Sequence, residues 1–281
     1  MRKKVIKPII MNVVLATLAC IWLIPILWLL VTSLSGYKGI NTMHFFPTEW
    51  SLGNYRQLFL EPDTVANFPA WFKNSMLIGI FSCMISTTFV LMVAYAMSCM
   101  RFRLRKTLMS IGIILGMFPG VLSMIAIYFV MKMIGMTDSV VGLVIIYSSG
   151  SGLGYLICKG FFDTIPVSLR EAAKMEGATE LSVFMRVVVP LSKPIIVYTV
   201  INSFLTPWMD FVMAKLMIRS KDPANWTVAM GLFNLVQRTL VSDYFSLFCA
   251  GGVMVAIPIS ILFVIMQKFY VEGITGGAVK G

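Results

Sequence analysis

The chain has 281 residues, 58% of them hydrophobic and 12% charged, with a mean hydropathy of +0.88 and a formal net charge of +11. Soluble domains carry about 25% charged residues, so the composition excludes a water-soluble globular domain and indicates one membrane-embedded body. The basic residues fall in short clusters between apolar runs and build no separate basic domain, which excludes nucleic acid as a partner and points to orientation in a membrane.

The N-terminal MRKKVIKPII has the basic start of a secretion signal. Its apolar continuation is longer than the roughly 7–15 residues of a signal's hydrophobic region, and no small-x-small cleavage site stands out, so 9–35 reads as a first span. A helix needs about 20 residues to cross the hydrocarbon core. Uncharged runs of that order predict further spans at 74–100, 107–131, 139–158, 194–218 and 244–267, the fifth interrupted by Asp210. The fold class expected is therefore an all-α membrane protein of six transmembrane helices, spanning the membrane several times as a single transmembrane domain, 1–281. With both termini cytoplasmic, 15 of the 23 Lys and Arg residues lie on the inner side, and the RFRLRK cluster at 101–106 has no acid near it; inner positive charge is what orients a polytopic protein. This leaves outer loops at 36–73 and 219–243, a cytoplasmic loop at 160–193 and a cytoplasmic tail at 268–281. The outer loops either fold or lie as covered turns at the interface. Asn225-Trp-Thr227 matches a glycosylation acceptor, a motif too short to carry weight.

The five cysteines sit in apolar segments without CxxC spacing and read as small buried hydrophobes. The one histidine, His44, lies in an outer loop and no H-E-x-x-H occurs, which argues against intramembrane proteolysis. No G-x-x-x-x-G-K-[ST] phosphate loop exists either, so the chain is not expected to be an enzyme or to bind ATP itself.

Polar groups inside apolar spans are costly unless paired or facing water. On the fifth span Asn202, Thr206, Trp208 and Asp210 surround Pro207, which is expected to kink the helix. On the fourth, YSSGSGLGY contains Ser148 and Ser151. These faces either line a translocation path, where hydroxyls and aromatics suit a sugar, or pack helices closely through small residues. An ion-coupled secondary transporter would place ionisable groups at mid-membrane in repeated broken helices; Asp210 is the one acid within a span, and no internal repeat is evident. A structural or scaffold role is a third reading, in which sugar uptake does not depend on the chain.

The stretch SLREAAKMEGATELSVFMRVVVPLSKP, 168–194, is charged and helical between apolar spans. Pro166 suits a first helical turn, Leu169, Ala172, Ala173 and Glu176 follow at helical spacing, and Gly177 stops the helix. Thr179 is the candidate N-cap of a second helix that runs to Pro190. Such a pair either lies on lipid headgroups or offers its low alanine face to a partner. EAAKMEGATELSVFMRVVVP resembles the EAA motif of ABC importer permeases, matched at Glu171, Ala172, Ala173, Gly177, Val187 and Pro190, with Val189 where leucine is usual. FFPTEWSLGNYRQLF, 45–59, and the glycine-rich end GGAVKG are similar to segments of carbohydrate-type permeases of the maltose-permease group. The resemblance implies a bacterial plasma-membrane complex of two different six-span permeases, two cytoplasmic ATPase subunits that bind ATP and Mg, and an extracellular sugar-binding protein. Glu171 to Gly177 would form the coupling helix docked in an ATPase cleft. The tail residues Gly276, Gly277, Val279, Lys280 and Gly281 would reach between the ATPases, and 219–243 would enter the binding protein's cleft. The cargo implied is a sugar, such as a maltodextrin, held mainly by the sister permease.

Overall fold

Backbone N–H and C=O groups in hydrocarbon must bond to each other, and helices do so within one segment. The structure, a computed structural model, describes residues 2–40, 44–149 and 154–278, with side chains described between 10 and 268 of these. Among the described residues the only pairing outside helices is one antiparallel bridge, Ser35 to Trp50. Three helices are long and apolar enough to cross a membrane alone: α1 (Arg2–Ser33) from Ile10, α3 (Phe68–Cys99), and α14 (Val241–Ala278) as far as Lys268. Three broken pairs each reach that length and apolarity together: α4 (Arg105–Gly116) with α5 (Gly120–Met133), α6 (Val140–Ser149) with α7 (Gly154–Phe162), and the Glu180–Leu191 segment with α11 (Lys193–Met209). The count of six spans holds if each pair is one span.

The breaks are where the structure departs from the hydropathy reading. The run 107–131 is two helices at 103°, because Pro119 has no N–H to continue α4 and takes an extended ψ of 124° as it starts α5. The fifth run does not continue to 218. α11 ends at Met209, Asp210 is extended, and a separate short helix, α12 (Val212–Met217), follows. Pro207 thus lies within the last turn of α11, two residues short of its end, rather than midway along a span.

The chain forms two compact units. In the first, residues 1–69 and 231–257, the segment after α1 turns back on itself: Gly36 N–H donates to Glu49 O and Ser51 N–H to Leu34 O. Helix α2 (Gly53–Leu60) is fastened by Asn54, whose side-chain amide donates to Ser33 O and Ser35 O. Tyr244 on α14 donates to Asp63 at 2.9 Å. The described residues from 44 to 63 are thus fastened to the end of α1 and to α14. By contrast, the apolar window of α1 is wholly uncovered, Trp22 being 78% exposed, so its surroundings are lipid or another subunit. Cys20 lies on that surface and Cys99 is half-buried, unlike the buried Cys83, Cys158 and Cys249. The five are not uniformly buried residues.

The second unit, residues 70–230 and 258–281, has two apolar clusters. One joins α3, α5, α6 and α12 through Ile78, Tyr128, Leu143, Met213 and Met217. The other joins α3, α7 and α11 through Val90, Tyr95, Phe162, Phe184 and Ile195. The turn between α5 and α6 is held to the end of α12. Asp138, at φ 55°, donates its N–H to Met217 O and accepts from Arg219 and Ser220 N–H at 2.6 and 2.9 Å. Beyond it the chain from 220 to 228 is pinned to α3. Trp71 stacks on Trp226 and donates to Pro223 O, Asn74 donates to Ala224 O and Trp226 O, and Ser75 accepts from Val228 N–H. Most of the 219–243 segment is therefore ordered backbone, with α13 (Val228–Leu235) following directly.

Candidate functional site

The charged insert folds into two helices at its two ends of different character. α8 (Val167–Met175) buries none of its residues. Pro166 precedes it as N-cap rather than occupying its first turn. Its C-terminus is a Schellman closure: Ala178 N–H donates to Ala173 O and Gly177 N–H to Lys174 O. That closure requires the left-handed conformation that Gly177 adopts, φ 84°, which side-chain-bearing residues avoid. Glu171 and Ala172 are exposed and Ala173 is half-buried, so the small face points away from this chain's own core.

Thr179 accepts from Ser182 N–H and so caps α9 (Glu180–Val183). The helix then widens into a π turn, Phe184–Val188, closed by Val189 N–H to Phe184 O, before α10 (Val189–Leu191). Pro190 lies in the last turn of this helix, which ends at Leu191. The proline has no N–H and crowds the carbonyl four residues back, and the widened turn just before it accommodates both defects. The Glu180–Leu191 segment meets α11 at 87° at Ser192, a cross-bar at the foot of a span.

The cross-bar is clasped at Glu180. Its carboxylate pairs with Lys174 of α8 and accepts from the Tyr95 hydroxyl of α3 at 2.7 Å. Tyr95 is buried against the Phe184 ring at 5.0 Å. Glu180 therefore ties the exposed helix, the cross-bar and a long span to one point. The hydrogen bonds from Lys174 and Tyr95 hold its carboxyl below its ordinary value of 4.5, with Arg170 adding attraction. Nearby, burial opposes ionisation of Asp163, but hydrogen bonds from Lys159 and Ser98 outweigh it and lower its value. These clasps were not found by sequence reading, since Tyr95 and Glu180 are 85 residues apart. We expect Glu180→Gln, which weakens the Lys174 pair, to lower transport several-fold while leaving insertion intact, as measured by uptake at matched expression. The folded-state value lies below the ordinary one, so the clasp's contribution is full above the ordinary carboxylate range and fades as pH falls through the lowered value. Between about pH 6 and pH 8 this group makes uptake no more and no less sensitive to pH.

A second feature lies between α3, α6, α7 and α11: a cavity of about 200 Å³ lined by Ser86, Tyr147, Tyr198, Asn202, Ser203 and Thr206, among others. Of the sequence-predicted pathway residues, Asn202 and Thr206 line it. Ser148 instead faces a separate, mainly apolar cavity between α3 and α6, with Ile85, Phe89 and Val144. Trp208 is buried, 5.4 Å from the Phe72 ring and 5.8 Å from Phe204, and packs the core. Asp210 accepts from Met213 N–H at 2.9 Å and so caps α12. Ser151, Val279, Lys280 and Gly281 lie outside the described residues, and Gly276 and Gly277 belong to the last turns of α14, of whose side chains nothing is described. The 268–281 segment is thus helix as far as Ala278. Tyr198 and Ser86 were missed, because each has an unremarkable place in an apolar run, while Tyr147 opens the YSSGSGLGY stretch but was not singled out within it. Only the packing of α11 against α6 and α7 brings them together.

Residues 92–275 match the family model described as "Binding-protein-dependent transport system inner membrane component". The chain is 31% identical over 280 residues to the galactooligosaccharides transport system permease protein GanQ of Bacillus subtilis (strain 168), covering 99% of this chain and 98% of that one. It is 32% identical over 257 residues to the maltodextrin transport system permease protein MdxG of the same organism, covering 90% of each. Among solved structures, a chain of a bacterial ABC transporter involved in the import of the acidic polysaccharide alginate superposes with a TM-score of 0.78 at 24% identity, over 96% of this chain and 98% of that chain. The fold is thus that of a membrane permease. The chain belongs to the family of binding-protein-dependent transport system inner membrane components.

Proposed function

We propose that this chain is one of two permease subunits in an ABC importer for an oligosaccharide, of the maltodextrin or galacto-oligosaccharide kind. Its α8 is the coupling helix that docks into a cleft on a separate ATPase subunit. The observation that carries this reading is α8 itself: a helix with no buried residue, closed by a left-handed glycine, and clasped through Glu180 to a membrane span. A helix with no fully buried residue contributes little packing to its own chain, and its largely exposed small face suits a partner's groove.

The distribution of Lys and Arg puts both termini and the 160–193 loop in the cytoplasm, on the side where the ATPases stand. ATP and Mg are bound by those partners, since the chain carries no phosphate loop. The other members of the complex are a second six-span permease and an extracellular sugar-binding protein. The tail from Gly276 to Gly281 extends toward the ATPases. Lipid covers the apolar surface of α1 that the sister subunit leaves open. Support for a sugar cargo comes from the relatives' names and from the hydroxyl-lined cavity.

An ion-coupled transporter finds no support here, because the one acid in a span run, Asp210, is engaged as a helix cap. Uptake of labelled maltotriose and galactotriose by cells expressing the whole complex separates the two mechanisms. An ABC importer continues after the membrane potential is collapsed and stops when ATP is depleted; the reverse pattern overturns this reading.

A further inference from the structure

The cavity between α3, α6, α7 and α11 has a particular hydrogen-bonding character. On α11, Thr206 donates its hydroxyl proton to Asn202 O at 2.8 Å, Thr199 donates to Ile195 O at 2.8 Å, and the Asn202 amide donates to Tyr198 O at 2.8 Å. Thr206 and Thr199 thus have their hydroxyl donor engaged on the helix's own backbone, and Asn202 one of its two N–H groups. What remains to a ligand is chiefly acceptor capacity, the Asn202 carbonyl oxygen and the lone pairs of Thr206, together with the second Asn202 N–H, while Thr199 already accepts from the Cys158 thiol at 3.1 Å. The Tyr147 hydroxyl is buried beside the Asp210 carboxylate, which engages its proton and leaves the phenolic oxygen as a further acceptor at the cavity wall. No lining side chain among the described residues is charged.

We infer that this cavity is a direct binding subsite on this chain for one uncharged sugar ring of the passing oligosaccharide. The inference rests on the sugar-import reading above and goes beyond it. It places sugar contacts on this subunit rather than on its sister alone, and it fixes the charge class of the cargo. A neutral pyranose carries several hydroxyl donors for the Asn202 carbonyl, Thr206 and the Tyr147 oxygen, and acceptor oxygens for the second Asn202 N–H. Its C–H face packs on the Tyr198 ring. A volume of about 200 Å³, below the roughly 300–1,000 Å³ of sites for drug-sized ligands, holds one ring and passes a chain ring by ring. A uronate or sugar phosphate would enter without a cation to meet it, and an unpaired charge in such a site is strongly disfavoured.

The test uses the full complex with its own partner subunits, expressed in cells and assayed with maltotriose, galactotriose, raffinose and, as the anionic probe, a galacturonic acid trimer. Variants are Tyr147→Phe, which removes one oxygen and keeps the volume, and Thr206→Val, which is isosteric, each checked for normal assembly by co-purification of the partners. We expect uptake of at least one neutral trisaccharide and none of the uronate. The KM for the neutral sugar should rise about tenfold in Tyr147→Phe, on the scale of one lost buried hydrogen bond, and rise in Thr206→Val as well. Neutral uptake with KM unchanged in both assembled variants overturns the subsite while leaving the import reading intact. Preferred uptake of the uronate overturns the assignment of charge class, and with it the subsite. Uptake of none of these sugars, by a complex that assembles, sinks the import reading and this inference together.

Discussion

Gly177→Pro is expected to leave the protein inserted and assembled with its sister permease, yet to lower sugar uptake about tenfold or more, the factor to which roughly 1.4 kcal/mol of lost docking free energy corresponds. The residue closes α8 at φ 84°, and its N–H donates to Lys174 O at 2.9 Å. Proline fixes φ near −65° and has no N–H, so both requirements fail at once and the last turn of α8 opens. Nothing lies within 4 Å of where a side chain at 177 would begin, so bulk is not the issue and the backbone angle is. The effect should therefore be graded. Gly177→Asn is the mildest change because asparagine tolerates left-handed backbone, Gly177→Ala is intermediate, and Gly177→Pro is the most severe. Uptake measured across the three at equal membrane expression gives this order if the helix end docks. Equal uptake in all three would remove α8 from the coupling path.

Gly142→Ala is expected to be among the most destabilising single-methyl changes in the chain. The glycine is buried in α6, where a Cβ would fall inside the van der Waals envelope of the Met136 carbonyl oxygen. Met136 is not a flexible side-chain end there, since its own N–H is bonded to Met131 O at the close of α5. The turn around it is anchored further by Asp138 on Met217, Arg219 and Ser220. Neither side yields easily, and overpacking of this kind costs about 1–3 kcal/mol. The melting temperature of the detergent-solubilised complex should drop accordingly. Gly160→Ala on α7 is the matched control. Its Cβ would meet nothing within 4 Å, and alanine favours helix over glycine by about 1 kcal/mol, so its melting temperature should stay level or rise.

What the amino-acid sequence revealed follows from how local each signal is. Apolar runs of the right length located the three helices that are long enough to span alone and the three bent pairs, since the need to satisfy backbone groups in lipid acts segment by segment. The ends of α8 and α9 were legible for the same reason: Gly177 and Thr179 act on backbone groups within three or four residues. The broken spans were not, because hydropathy averages over a window and is blind to one residue's missing N–H. Pro119 divides 107–131, and the helix expected to run to Pro190 contains an unforeseen π turn before it ends at Leu191. Asp210 read as a polar intrusion in a span and proved to cap the short helix α12. Least legible were the contacts between distant segments. The Tyr95–Glu180–Lys174 clasp joins α3 to the insert, and the Tyr147, Tyr198 and Asn202 cavity needs two helices packed side by side.

On this reading an exposed helix of this chain engages a separate ATPase. Purification of the chain from detergent-solubilised membranes, with co-purifying proteins identified by mass spectrometry, tests it most directly when wild type and Glu171→Lys are compared. Glu171 is exposed in α8, so reversing its charge alters the docking face without disturbing this chain's packing. The account predicts a second six-span permease and an ATPase with the wild-type chain, and loss of the ATPase but not of the permease with Glu171→Lys. Recovery of the chain alone as a stable homo-oligomer, or an ATPase retained equally by the variant, would contradict it.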